Sequence, residues 1–358
     1  MGIYITQIAL IIFLPIVFSR IKDGKKLYCY TAAIILLCVI GFRTENMGLY
    51  DVKNIYFPQF DSLQRMSMAE MFKEYPVMRG NLFQIFTKLY QVFSENKYVW
   101  LLFTSIPYIA AMTHTIKKYS LNIYTCSFCF FMICGMRIYQ TNFYLIRHSI
   151  AMAILIIAFD AIVEKNLKKF LILVILAGLF HSTAFIFIIA YPLARIRPSW
   201  KQLLFVVAGF YVIMFMASNV MEMIFGLMDS NNYYSAFQHR NSGFDSFLFP
   251  SICFFQFIIA YILCKRNNIE DECERVTVNM LCIGTVLMGS STIIGEFYRL
   301  SYFFMTVSFV GLGNIIRMEK DKILRYSLYL GLFIVLTWYM CRGFEENGLI
   351  PYESWLFR

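Results

Sequence analysis

Charge is scarce in this chain. Only 15% of its 358 residues are Asp, Glu, Lys or Arg while 59% are hydrophobic, against about a quarter charged in an ordinary soluble domain. That balance excludes a water-soluble fold and leaves a polytopic membrane protein. Histidine is scarce too: His114, His148, His181 and His239 are scattered, and neither an HExxH pattern nor paired cysteine motifs occur. No zinc or other metal site is therefore expected, and no cofactor. A glycine-rich phosphate loop is missing and the links expected on the inner side are short, which argues against a nucleotide-sugar pocket. No basic segment precedes the first apolar run, Ile3–Phe18, and no small-residue cleavage site follows it. That run reads as a retained span rather than a cleaved signal.

What is present are apolar runs of roughly 15 to 20 residues, repeated along the whole length. Helical spans need about that many, whereas a membrane barrel would show alternating strands of about 10. An all-α fold with about ten transmembrane helices is expected: Ile3–Phe18, Leu27–Phe42, Tyr98–Ile116, Leu121–Arg137, Tyr144–Val163, Leu203–Asn219, Phe247–Cys264, Val276–Gly295, Leu300–Ile316 and Ile323–Cys341. The whole chain, 1–358, reads as a single membrane domain. Its net charge of +10 sits in short links between spans, where it matches anionic lipid headgroups rather than nucleic acid. Most of the ten cysteines lie in or beside spans, and the one CxxC, Cys126 to Cys129, reads as packed thiols.

The stretch AGLFHSTAFIF, residues 177–187, places His181 inside an apolar run. A single crossing by residues 170–193 would invert every later loop; a re-entrant hairpin broken near Phe180 to Ser182 would not. The positive-inside rule favours the hairpin. With the N-terminus outside, the later inner links then hold Arg195, Arg197, Lys201, Lys265, Arg266, Arg275, Arg317, Lys320, Lys322 and Arg325, leaving only Arg240, Arg299, Arg342 and Arg358 outside. Arg20, Lys22, Lys25, Lys26, Lys117, Lys118, Lys165, Lys168 and Lys169 fall inside in the same frame. His181 is then at the tip of a re-entrant turn in the outer half of the membrane. Residues 43–97 form an outer loop with two expected juxtamembrane helices, near Ser62–Lys73 and Asn81–Phe93, the second with Leu82, Ile85, Phe86, Leu89 and Phe93 along one stripe.

In this frame the unusual polar residues gather outside: Arg43, Asp51, Arg137, Arg147, His181, Glu296 and Arg299. Guanidiniums lining an outer cavity suit a phosphate or pyrophosphate, because the planar fork donates two hydrogen bonds and keeps its charge. Tyr233, Tyr234 and His239 in the loop after Asn219 are candidates for glycan contact. The stretches GFRTENMGLYD (Gly41 to Asp51), IRHSIAMAI (Ile146 to Ile154), EKNLKKF followed by LFHSTA, YRLSYFF (Tyr298 to Phe304) and IPYESWLF stand in an informative order. Together they resemble the EpsG family of bacterial polysaccharide polymerases, relatives of the Wzy-type O-antigen polymerases.

The resemblance implies that Arg43, Arg147, His181 and Arg299 fall on polar positions the family usually keeps. Two departures stand out: Gly48 and Asp51 are separated by two residues where the family has one, and His148 stands where glutamine usually follows the arginine. An acidic residue in an early loop, followed by juxtamembrane helices, also resembles the GT-C membrane glycosyltransferases at the level of fold. The implied function is a glycosyltransferase of the bacterial cytoplasmic (inner) membrane, active at its extracytoplasmic face in exopolysaccharide or lipopolysaccharide biosynthesis. It would transfer a growing glycan from polyprenyl pyrophosphate to a sugar hydroxyl of a second lipid-linked repeat unit. Arg43, Arg147, Arg299, Arg137 and Glu296 are the expected substrate-binding residues, and His181 or Asp51 the expected base. Expected partners are polyprenyl-pyrophosphate-linked oligosaccharides, membrane lipids, a chain-length regulator and a flippase. A flippase or transporter of lipid-linked oligosaccharide, or an O-antigen ligase, would use much of the same chemistry.

Overall fold

The computed structural model describes residues 1–49, 51–75, 82–210, 212, 244–292 and 297–357. The described residues are helical with one isolated β-bridge. They group into two compact units, Met1–Ile188 with Ile323–Arg358, and Ile189–Lys322.

The first unit contains α1 (Gly2–Phe18), α2 (Gly24–Gly41), a π-helical turn (Val52–Tyr56) running into α3 (Phe57–Arg65), α4 (Met68–Glu74), α5 (Leu82–Gln91), α6 (Lys97–Tyr119), α7 (Ile123–Gly135), α8 (Ile138–Thr141), α9 (Ile146–Val163), α10 (Leu167–Phe180) and α16 (Lys322–Glu346). The second contains α11 (Ala190–Leu193), α12 (Trp200–Phe210), α13 (Phe244–Arg266), α14 (Glu272–Gly289) and α15 (Tyr298–Met318). Asparagines start several of the first unit's helices. Asn96 accepts from the Tyr98 and Val99 amides, Asn122 from Tyr124 and Thr125, and Asn166 from Lys169. Each satisfies amides that a helix start leaves open.

Six helices are long and apolar enough to cross a membrane: α2, α6, α9, α13 over Phe247–Arg266, α15 and α16. The remaining expected spans are shorter or less apolar in their described parts. At 13 residues α7 rises only about 20 Å, short of a hydrocarbon core of about 30 Å. The expected span Leu203–Asn219 is described only in part, and α14 begins with Glu272 and Glu274 in its first turn.

The 43–97 segment differs from expectation in a way its sequence explains. In place of one helix over Ser62–Lys73 there are two, because Met66 is extended and Ser67 starts α4 with a capping box: the Ser67 hydroxyl takes the Glu70 amide and the Glu70 carboxylate takes the Ser67 amide. On α5 the polar residues Gln84 and Thr87 are buried with Phe83 and Tyr90, while Leu89, Val92 and Phe93 are exposed. Only the far end of the expected apolar stripe, Leu89 and Phe93, is exposed, while Phe86 stacks on Phe103. Lys88 fixes that orientation by donating to the carbonyls of Leu63 and Met66.

The two ends of the first unit hold their cations in different ways, with lysines such as Lys97, paired with Asp61, also present at the second. At one end are lysines: Lys25 donates to the Ser120 carbonyl, Lys117 to the Tyr30 hydroxyl, and Lys118 and Lys169 both reach Glu164. These two ammonium groups hold the Glu164 carboxyl below the usual range. The other end carries arginines and the C-terminal tail. Arg43 pairs with Ser354 in the isolated bridge, the Thr44 amide donates to the Glu353 carbonyl and the Trp355 amide to the Phe42 carbonyl. Side chains strengthen the joint: Thr44 and Asn46 both donate to the Glu353 carboxylate, and Trp355 stacks on Tyr98.

In the second unit α14 and α15 pack along buried polar side chains. Asn314 donates to Glu274, Ser301 to the Gly284 carbonyl, and Thr277 lies so close to Gly311 that a Cβ there would clash with its hydroxyl. Gly343 plays the same part in the first unit, since a Cβ would stand 2.4 Å from both Arg137 Nε and Gln140 Oε1. We expect Gly343→Ala to cost about 1–3 kcal/mol and to lower the melting temperature of the detergent-solubilised protein. An unchanged melting temperature would contradict the close approach of α16 to α8.

Candidate active site

The candidate site is built around the start of α9. Its second residue, Arg147, is half-buried; its Nη2 donates to Gln59 Oε1 at 2.8 Å, and its guanidinium lies 5.4 Å from the Phe83 ring and 5.8 Å from that of Tyr56. Gln59 comes from α3, Tyr56 from the π-helical turn and Phe83 from α5, so three elements of the 43–97 segment converge on one arginine. Its own main chain is fixed as well, the Arg147 amide facing the Tyr56 hydroxyl at 3.5 Å.

The next residue, His148, points into the protein and is buried. Its ring meets that of His181 edge-to-face, with centroids 5.5 Å apart and planes at 85°. His181 stands where α10 ends: its backbone is extended, and a 3-10 stretch, Ser182–Ile189, follows. The chain reverses there. Phe187 lies 6.1 Å from Phe170, seventeen positions earlier, and Phe185 packs on Gly178. A continuous helix would hold Phe170 and Phe187 about 25 Å apart. Phe180 touches Phe86 of α5 at 6.0 Å, so the turn and the outer-loop helices share one aromatic seam.

Arg43 and Arg137 reach the same end of the unit and are engaged differently. Arg43 is fully buried, donates from Nε to the Phe143 carbonyl at 2.9 Å and from Nη1 to the Ile40 carbonyl and to Ser105 Oγ. Ile40 ends α2, where carbonyls carry the negative end of the helix dipole, and that accommodates the cation. Burial pushes its pKa down to about 10, which leaves it charged at neutral pH. Arg137 takes a left-handed backbone after α7, lies 3.6 Å from the Tyr339 ring centre, and pairs with Glu346 at 2.5 Å. Both serve here as ties between helices.

Asp51 is the residue before the π-helical turn. Arg299 belongs to the second unit, on the first turn of α15, with its Nε 3.4 Å from the Tyr298 hydroxyl. Glu296, Tyr233, Tyr234 and His239 lie outside the described residues. Among the described residues no group of three or more His, Cys, Asp or Glu is placed to hold a metal ion.

Sequence reasoning singled out Arg147 and His181 and missed the groups that surround them. Gln59, Tyr56 and Phe83 sit in a loop with no distinctive motif. His148 left a signal, as the residue standing in place of the expected glutamine. The tail motif IPYESWLF was legible as a motif, and its structural role is the joint with Thr44 and Asn46.

The EpsG family matches residues 26–354, nearly the whole chain. This chain is a member of the EpsG family. Membership points to a multi-pass membrane protein of the polysaccharide-polymerase type. No curated protein and no solved structure matches the chain. The match takes in every stretch of this EpsG chain described above except α1, the first two residues of α2 and the last residues of the tail.

Arg43, a tie, and Arg147, at the site, respond differently to the same substitution. Arg43→Lys keeps a charge but cannot reach the two carbonyls and Ser105 together, so we expect a loss of about 1–3 kcal/mol. The readout is a lower melting temperature and less folded protein in membranes. Arg147→Lys, half-buried, should change the melting temperature little. Equal effects at both positions would contradict the division into tie and site.

Proposed function

We propose that this protein is an oligosaccharide repeat-unit polymerase, working at the outer face of a bacterial cytoplasmic membrane. The observation that carries the reading is the cluster at the start of α9: Arg147 held between Tyr56, Phe83 and Gln59, followed by His148 against His181. It stands at the opposite end of α9 from Lys118, Glu164 and Lys169, about 27 Å away along an 18-residue helix. By the positive-inside rule, counted over short links, the end bearing Arg20, Lys22, Lys25, Lys26, Lys117, Lys118, Lys165, Lys168 and Lys169 faces the cytoplasm and the Arg147 end the outside. The reversal at His181 then makes residues 170–193 a re-entrant element whose tip carries the histidine, and the helices after Asp51 lie at the outer interface, an arrangement that parallels the GT-C glycosyltransferases.

In the reaction a hydroxyl oxygen of one lipid-linked repeat unit attacks the anomeric carbon of the growing glycan. The bond from that carbon to the polyprenyl pyrophosphate breaks, and the pyrophosphate leaves with the bonding pair. Arg147 faces the leaving group, where a guanidinium opposes charge that grows in the transition state. His181 takes the hydroxyl proton as general base, with Asp51 as the competing base. Arg43 and Arg137, expected from sequence to hold substrate directly, act instead by fixing the ends of α2, α7 and α16 around the cluster.

Two outcomes test this. His181→Ala in cells should abolish or strongly shorten the polymer, while lipid-linked repeat units still reach the outer leaflet and protein abundance stays normal. Loss of translocation with the same variant would favour a flippase, and normal polymer length would remove His181 from catalysis. Arg147→Lys should lower the turnover of the protein about a hundredfold by losing the fork while keeping the charge. Full activity in that variant would sink the guanidinium–pyrophosphate assignment.

A further inference from the structure

Between α3 and α4 lies an open cavity of about 660 Å³, within the roughly 300–1,000 Å³ of small-molecule sites. Such sites are mostly apolar; this one is lined by Asp61, Arg65, Glu70, Lys73 and Glu74, with Pro58 among them. Glu70 is occupied in capping α4 and Asp61 in an ion pair with Lys97 at 3.2 Å. Arg65, Lys73 and Glu74 make no hydrogen bond or ion pair to any described residue. Three carboxylates face two cations, so the lining is net negative and unsuited to a pyrophosphate. A sugar matches it better. Each hydroxyl both donates and accepts, meeting carboxylates and cations alike, and Pro58 offers an apolar plate for the C–H face of a pyranose.

Position gives this cavity its meaning. Pro58 borders it, and the next residue, Gln59, accepts the hydrogen bond from Arg147. From Gln59 to Arg65 is about 9 Å along the same helix, so the lining starts one residue from the hydrogen-bond partner of Arg147 and runs along α3 away from it. We propose that the cavity is a saccharide subsite, holding the hydroxyl-rich oligosaccharide of a substrate while its pyrophosphate end lies at Arg147. The proposal rests on the polymerase reading for its substrate class.

The test uses full-length protein in detergent or nanodiscs and the double variant Arg65→Ala with Glu74→Ala. Both residues are exposed, and a melting curve matching wild type verifies the fold. The probe is the delipidated oligosaccharide released by mild acid from the repeat-unit lipid of the producing strain, titrated by calorimetry. We expect its affinity to fall about tenfold or more in the double variant. Polymerisation is read separately, on a gel. Shortened products place the growing chain in the cavity; a raised KM for the repeat unit with unchanged product length places the incoming unit there. Unchanged affinity together with unchanged polymerisation overturns the subsite. A wild-type protein that binds the oligosaccharide but forms no ladder, with binding lost in the variant, would overturn the polymerase reading and leave the subsite standing.

Discussion

The buried guanidinium of Arg43 is the constraint on which the rest of the first unit depends. It lies beyond α2 with no carboxylate among its hydrogen-bond partners: Nε and Nη1 are held by the carbonyls of Phe143 and Ile40 and by Ser105, while Nη2 is buried without a partner. A cation removed from water costs several kcal/mol unless fixed dipoles replace its hydration. Here the replacement comes from three separate parts of the chain: the end of α2, the segment after α8, and α6. Losing the arginine leaves these carbonyls without their donor, and the same residue pairs with Ser354 of the tail. The bond from Arg43 to Phe143 therefore sets where the chain enters α9, and with it where Arg147 and His148 point.

The two-ended distribution of cations connects this packing to function. Lysines at one end of the unit are partly exposed point charges, suited to headgroups and to the Glu164 carboxylate. Arginines at the other end are buried or half-buried and held in fixed geometry by carbonyls, rings and an amide. Pre-set guanidiniums need little reorganisation when charge develops on a leaving group, which is the property that the proposed glycan transfer from a lipid pyrophosphate requires. In the second unit Arg299 stands on the first turn of α15, a helix whose interface with α14 is held by Asn314, Glu274 and Ser301 rather than by apolar contacts alone.

Much of this was legible from the sequence, for identifiable reasons. Apolar runs gave the long helices within a few residues, and the break at His181 showed in the short polar step inside an apolar segment. The start of α4 was written in Ser67 and Glu70, although hydrophobic spacing suggested one longer helix. Side-chain direction was harder. The stripe on α5 was visible, but its orientation depends on Lys88 reaching two carbonyls of α3, a long-range contact that periodicity does not encode. The division among the arginines was likewise hidden, because Arg43, Arg137 and Arg147 look alike until their partners are known, and those partners are mostly backbone carbonyls and rings. The pairing of His148 with His181 joins residues 33 positions apart in sequence and had no pattern to reveal it.

The central claim is that arginine forks, set in place by this packing, supply the charge stabilisation for glycan transfer. It is tested most directly with purified protein and a single substrate, a defined polyprenyl-pyrophosphate repeat unit, incubated with an excess of chelator and resolved on a gel. The account predicts a ladder of added units that persists in chelator. A ladder that appears only when a divalent ion is restored would contradict the claim, because the charge on the leaving group would then be met by metal rather than by arginine.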